Sequence, residues 1–144
     1  VVNDLVIMDS DNICLYLDSI SKKNTLFPKK NYWKIMSITS VANGLMESVL
    51  ERRMELVRPD NEKSKNFINK QETRIIRTIN WLEDNWNNYD EKYLTMDQIA
   101  IACALDYTIF RFNDKWKKNS LNLYKWFNNF IKSDFMKSTL PREK

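Results

Sequence analysis

Apolar residues recur at helical spacing along most of the chain and predict mainly helical structure. One stripe predicts a long helix over about residues 31–57, in which Trp33, Ile38, Val41, Leu45, Val49 and Leu56 recur at helical spacing. A second stripe predicts a helix over about residues 62–86. Shorter patterns predict helices from Asp9-Ser10, within residues 121–131 and from Ser133-Asp134. Residues 1–8 predict a β-hairpin, because Asn3-Asp4 is typical of a hairpin turn and residues 5–8 form a short run of residues that favour a strand.

Residues 94–107 contain the most apolar run of the chain. Thr95 and Gln98 have the spacing of a capping box, which starts a helix by satisfying two backbone N–H groups. Residues 99–105 then follow without a polar side chain, and a helix that is apolar all round must be surrounded. The run is far shorter than the ~20 residues that span a bilayer. It therefore predicts the central core helix of an all-helical domain.

The composition narrows the possible functions. One glycine and three prolines favour helix, and the net charge of +4 comes from basic residues interleaved with acidic ones. That interleaving favours solvated helix faces, so we predict neither a nucleic-acid nor a membrane partner. The absence of histidine excludes a Ser-His-Asp triad and disfavours a metal site. Cys14 and Cys103 lie in apolar contexts and predict buried free thiols in a cytoplasmic protein, as does the lack of a secretory signal pattern.

Asp9-Ser10 is the first candidate binding site. A serine at a helix start offers a hydroxyl and free backbone N–H groups to a carboxylate, and the adjacent aspartate could bind an ammonium group. The alternative is that Ser10 only caps its own helix. Spacing alone favours that alternative, because serine caps are common.

Other candidates have structural alternatives, which are the simpler interpretation for Glu47 and Arg111 and an equal one for Gly44. Glu47 could line a ligand cleft or a subunit interface, or form a surface ion pair. Gly44, inside the first long helix, could allow close packing or leave room for a ligand. Arg111 can favour the end of the central helix through the helix dipole.

Several of these segments resemble the glutathione S-transferase family, and a bacterial branch in particular. Residues 94–107 with Phe110-Arg111 resemble the core helix of the family's C-terminal domain, with Gln98 where the family usually has aspartate. Residues 122–127 and 133–141 resemble its closing segment. Residues 5–10 are similar to the end of the thioredoxin-like domain, and residues 42–47 are similar to the bacterial branch.

The resemblance implies a domain arrangement and a chemistry. Residues 1–23 would be the end of a thioredoxin-like domain, 24–30 a linker and 31–144 the helical domain, in a chain that is an N-terminally truncated fragment. Asp9 and Ser10 would bind glutathione, the thiolate of which attacks a small hydrophobic electrophile. The electrophile pocket would include Asn43, Glu47, Tyr107 and Arg111. The catalytic residue would lie in the absent segment, and the protein would be a homodimer without a metal.

Two other functions remain open on the sequence. The chain could be a non-catalytic relative that serves as an interaction module in a translation or stress-response complex. It could also be a plain helical binding domain with no link to glutathione. Binding of glutathione through Ser10 separates these possibilities.

Overall fold

The computed structural model describes residues 6–23, 25–85 and 93–139. These residues form six α-helices. In chain order they are α1 (Ser10–Ile20), α2 (Tyr32–Leu56), α3 (Lys65–Asn85), α4 (Met96–Arg111), α5 (Leu121–Phe130) and α6 (Asp134–Ser138). Short 3₁₀ turns at Lys29–Asn31, Asp60–Glu62 and Lys115–Lys118 precede α2, α3 and α5. The mainly helical fold predicted from the sequence is confirmed.

The core lies where α2 packs against both α3 and α4. Leu45 of α2, Ile75 of α3 and Leu105 of α4 are completely buried in it. Alanines on α2 and α4 allow the two backbones to approach closely, since a methyl group is the largest side chain at those positions. The alanines buried in this way are Ala42, Ala100, Ala102 and Ala104. Leu123 and Phe127 of α5 complete the core on the far side.

The central helix α4 begins as the sequence predicts. The backbone N–H of Thr95 donates to Oε1 of Gln98 at 3.1 Å, and the two residues form the predicted capping box. The prediction that α4 is surrounded on every side is wrong, however. Cys103 is exposed and Ile99 is only half-buried, so one side of α4 is open among the described residues.

Two further expectations need correction. The predicted hairpin has no counterpart in residues 6–8, which are not in a strand, and its residues 1–5 lie outside the described part of the chain. The second long helix starts at Lys65 rather than near residue 62, because Pro59 opens a separate 3₁₀ turn and Ser64 starts the helix. In the described ranges the chain has helices and turns but no strand.

Polar contacts attach α1 and the segment after it to the rest of the fold. The backbone N–H of Leu26 donates to Oδ1 of Asp18 at 2.7 Å, and Oδ2 of Asp18 accepts from the hydroxyl of Thr25. The carbonyl of Leu26 accepts from the backbone N–H of Met96 at 3.1 Å. The end of α1 is therefore linked through this segment to the start of α4.

Candidate functional site

The start of α1 is an exposed corner of unusual backbone conformation. Asp9 has φ 73° and ψ 136°, and among the described residues no other non-glycine residue has a positive φ. Such a conformation costs on the order of 1–3 kcal/mol and persists only where neighbouring contacts hold it. Oδ1 of Asp9 accepts from the backbone N–H of Asp11 at 2.9 Å, and the Met8 carbonyl accepts from the Asn12 amide at 3.2 Å.

The structure decides which residue caps α1. Asp9 is the N-cap, and Ser10 is the first helical residue. The alternative that Ser10 caps its own helix is therefore wrong. Ser10 is exposed, and its hydroxyl has no hydrogen-bond partner within the described ranges. A free hydroxyl thus lies at the start of α1, where the backbone N–H of Asp11 is engaged by Asp9 and the other first-turn N–H groups point towards the N-terminus, an arrangement suited to a carboxylate.

Asp11 ties this corner to the middle of α2. The side-chain amide of Asn43 donates to Oδ1 and Oδ2 of Asp11 at 3.1 and 2.9 Å. Both side chains are half-buried, and an ionised acceptor makes such bonds stronger than neutral ones. The contact brings Asn43 next to the corner formed by Asp9 and Ser10. The role of Asp11 was not predicted from the sequence, because no local pattern indicates a hydrogen-bond partner 32 positions away.

Glu47 lies one helical turn after Asn43 on α2 and is exposed. Its Oε2 is 3.9 Å from Nη2 of Arg74, and Oε2 of Glu51 is 3.9 Å from Nη1 of the same residue. Arg74 belongs to α3, so these charges pair across two helices rather than along α2. The space beside Gly44 is occupied in part by the Arg74 guanidinium, and a Cβ at residue 44 would be 3.5 Å from Nη2.

Tyr107 and Arg111 lie on α4. Tyr107 is half-buried and packs against the core, and it takes no part in the hydrogen bonds that build the Asp9-Ser10 corner. The guanidinium of Arg111 lies 4.0 Å from the ring centre of Phe110 at the end of α4. Of the residues proposed from the sequence, the structure thus brings Asp9, Ser10 and Asn43 together and places Glu47 nearby on α2.

Neither cysteine has the surroundings of an activated thiol. Burial raises the pKa of the Cys14 thiol above its usual value, and the negative charge of Asp11 raises it further. Desolvation by the neighbouring helix atoms, followed by the charge of Asp106, raises the pKa of Cys103 although its side chain is exposed. Both thiols are therefore disfavoured as thiolates. The prediction that both are buried is wrong, since Cys14 is half-buried and Cys103 is exposed.

No three or more Cys, Asp or Glu side chains in the described ranges lie in a group that could hold a metal ion. No helix in those ranges has the length and hydropathy needed to cross a membrane.

The chain matches no protein-family model and no curated protein. It is similar to solved structures of a glutathione transferase family member from Pseudomonas fluorescens Pf-5. The structure with bound S-(propanoic acid)-glutathione is 27% identical with TM-score 0.92, over 99% of this chain and 74% of that chain. The structure with bound glutathione is 26% identical with TM-score 0.92, over 99% and 72%.

A glutathione S-transferase from Methylobacillus flagellatus KT with GSH bound has the same fold. It is 23% identical with TM-score 0.87, over 94% of this chain and 70% of that chain. The backbone of this chain therefore follows that of these proteins over 94–99% of its length. The chain has the fold of the glutathione transferase family.

Proposed function

We propose that this chain is part of a cytoplasmic glutathione S-transferase, which binds glutathione and joins its sulfur to a small hydrophobic electrophile. One observation carries the proposal. An exposed corner with a free serine hydroxyl is fixed to α2 by the Asp11–Asn43 contact, in a fold shared with family members that have glutathione bound. Two unpaired cysteines are in keeping with a reducing compartment.

The γ-glutamyl end of glutathione carries an ammonium and a carboxylate on one carbon, and the corner offers a partner for each. Oδ1 of Asp9 is engaged by the Asp11 N–H, and its second oxygen is available for the ammonium. The Ser10 hydroxyl and the first-turn N–H groups suit the carboxylate. Asn43 would then have a positioning role, because its amide binds Asp11 and so holds the start of α1 in place.

The proposed reaction is a nucleophilic substitution or addition at an electrophilic carbon. The glutathione thiol releases its proton to solvent, and the thiolate forms the new carbon–sulfur bond. In a substitution the leaving group departs with its electron pair, whereas in an addition the π electron pair moves onto the electrophile, which then takes up a proton. The raised pKa values of Cys14 and Cys103 argue against a role for them as nucleophiles. We assign the activation of the thiol to a residue of the preceding thioredoxin-like domain. Glu47, Tyr107 and Arg111 remain the candidates for contact with the electrophile.

The surface of α1 and α2 supports the proposed domain arrangement. Residues 1–23 would belong to the thioredoxin-like domain, 24–30 to the linker and 31–144 to the helical domain. α1 has no buried residue and exposes Ile13, Leu17 and Ile20 along one face, as expected of a helix that packs on a sheet. α2 exposes Leu50 and Met54, and Val57 directly after its end continues the same spacing; we propose this face for the homodimer contact.

A glutathione titration of Ser10→Ala tests the proposal. Isotope-labelled protein is titrated with S-methylglutathione, which cannot react, and the amide signals of residues 9–12 are followed. We expect saturable shifts at these residues and binding weakened about tenfold in Ser10→Ala, as for a hydrogen bond to a charged group. Ser19→Ala is the matched control, because Ser19 is exposed on the same helix and bonds only the Tyr16 carbonyl.

Retention of the full-length protein on immobilised glutathione, lost in Ser10→Ala, would extend the result to the whole molecule. Binding without conjugation of any model electrophile would indicate the non-catalytic relative instead. Absence of binding in both experiments would rule out the proposed function.

A further inference from the structure

The start of α2 presents an exposed aromatic ring that the proposed glutathione site does not use. Trp33 belongs to the apolar stripe that predicts α2, yet its side chain is 80% exposed, more than any other large apolar side chain in the described ranges. Its ring makes an edge contact with Tyr32, with ring centres 5.1 Å apart, and Tyr32 lies 6.4 Å from the ring of buried Phe27. Trp33 is therefore held at its base and projects into solvent.

Lysine side chains flank Trp33. Residues 19–46 contain five lysines and no acidic residue. Lys29 and Lys30 lie in the 3₁₀ turn that runs into α2, and Lys34 follows Trp33 in the first turn of the helix. All three are exposed, and their ammonium groups have no partner in the described ranges. We call Lys29, Lys30, Trp33 and Lys34 the lysine–tryptophan patch.

The described carboxylates closest to this segment are engaged or buried. The segment before the patch contacts the end of α1 through Asp18 and the start of α4 through Met96. Asp18 accepts hydrogen bonds from Thr25 and Leu26, and Asp97, next to Met96, is 2% exposed. The prediction of no membrane partner rests on charges that are interleaved over the chain as a whole, which is not the case in this segment. Its positive charges select an anionic partner.

The shape and the residue types of the patch favour one kind of anionic partner. Trp33 projects and is not the wall of a groove, so it offers no pocket for the side chains of an acidic peptide. Residues 19–46 contain no arginine, which is the residue best suited to the paired hydrogen bonds of nucleic-acid phosphates. A membrane surface needs neither feature, because lysine clusters attract anionic headgroups and tryptophan rings lie at the headgroup level.

We propose that the lysine–tryptophan patch docks this protein on a membrane surface that contains anionic lipids. The three ammonium groups lie against the lipid headgroups, and the Trp33 ring inserts between the headgroups and the acyl chains. The strength of such binding follows the apolar area inserted and the charge, so one ring and three lysines give reversible docking and not permanent anchoring. The proposal does not depend on glutathione binding.

Co-sedimentation with lipid vesicles tests the proposal. The protein is mixed with vesicles of phosphatidylcholine and phosphatidylglycerol in equal amounts, and separately with vesicles of phosphatidylcholine alone. We expect binding to the anionic vesicles only, and weaker binding as salt is added, because salt screens exposed charges. A triple variant with Lys29→Gln, Lys30→Gln and Lys34→Gln should lower the partition coefficient about 100-fold, which corresponds to about fivefold for each lysine.

A second lysine-rich stretch supplies the matched control. Residues 115–133 also contain five lysines and no acidic residue, but Trp116 in their 3₁₀ turn is 7% exposed. A triple variant with Lys115→Gln, Lys118→Gln and Lys125→Gln removes the same charge from exposed lysines there. It should lower the partition coefficient less than about fivefold. Equal losses in the two triple variants would show diffuse charge attraction and would overturn the proposal.

Trp33→Ala tests the inserted ring, and Trp81→Ala is its control, because Trp81 is an exposed tryptophan of α3. Trp33→Ala should weaken vesicle binding about tenfold, since it removes the apolar area that inserts, and Trp81→Ala should leave binding unchanged. Lack of binding to the anionic vesicles at low salt would overturn the proposal, as would full binding by Trp33→Ala. Loss of binding to a single-stranded oligonucleotide in Trp33→Ala, without loss of vesicle binding, would assign the patch to nucleic acid instead.

Discussion

Gly44 lies inside α2, at a position where a side-chain methyl group would fit. The nearest atom to a Cβ at this position would be Nη2 of Arg74 at 3.5 Å, an ordinary contact distance. We therefore expect Gly44→Ala to raise the free energy of unfolding by about 0.5–1 kcal/mol, because alanine loses less backbone entropy in a helix. Urea denaturation measures the change.

A control in the same helix separates helix propensity from local packing. Ser40 is exposed on α2, and Ser40→Gly should lower the free energy of unfolding by about 0.5 kcal/mol. A loss of stability in Gly44→Ala, with the expected loss in Ser40→Gly, would mean that the position of Arg74 beside Gly44 cannot adjust.

At the residue scale, sequence patterns located the corner but not the contacts that hold it. Asp9-Ser10 was predictable as a helix start, since both residue types favour that position. The exchange of roles, with Asp9 as cap and Ser10 free, depends on the positive φ of Asp9, which no local pattern specifies. Cys103 was predicted to be buried because its neighbours in the chain are apolar. Its exposure follows from the absence of a described element against that side of α4.

At the element scale, buried or half-buried glutamates on one helix cap the start of the next. Oε1 of Glu55 on α2 accepts from the backbone N–H of Ser64 at 2.6 Å, just before α3. Glu83 on α3 accepts from the backbone N–H groups of Asn122 and Leu123 at 3.1 and 2.8 Å, in the first turn of α5. A negative charge at a helix start also interacts favourably with the helix dipole.

Removal of the Glu83 cap should loosen α5. We expect Glu83→Ala to lower the free energy of unfolding by about 1–2 kcal/mol, as for loss of a helix cap, and to speed amide exchange in the first turn of α5. Asp84→Ala is the control, since Asp84 is the exposed neighbour of Glu83 on the same helix. Equal effects of the two substitutions would show a general dependence on charge in α3 rather than a cap.

The elements themselves were predictable because their apolar stripes are long. α2 and α4 appear close to their expected positions, and Thr95 with Gln98 forms the expected capping box. The cap that Glu83 provides was not predictable, because it joins residues about 40 positions apart. The start of α3 shifted because Pro59 forms a turn of its own. At this scale, contacts between residues far apart in the sequence are therefore harder to predict than the helices themselves.

At the scale of the whole molecule, two parts of the described chain differ in how they are held. α2, α3 and α4 share a continuous apolar core, whereas α1 has no buried residue. α1 is held by the Asp11–Asn43 contact at its start and by the Asp18 contacts with Thr25 and Leu26 at its end. A helix attached mainly by polar contacts opens at a lower free energy than a core helix, since its opening exposes little apolar surface.

Amide exchange under native conditions should reveal this difference. We expect α1 to exchange through local opening with little dependence on denaturant, and α4 to exchange only through global unfolding. Asn43→Ala should speed exchange in α1 about tenfold, as for loss of a hydrogen bond to a carboxylate, and leave the relative protection of α4 unchanged. Asn69→Ala, on the exposed side of α3, should leave α1 unaffected. Protection of α1 equal to that of α4 would show that α1 belongs to the same cooperative unit, and the proposed glutathione corner at its start would then be rigid.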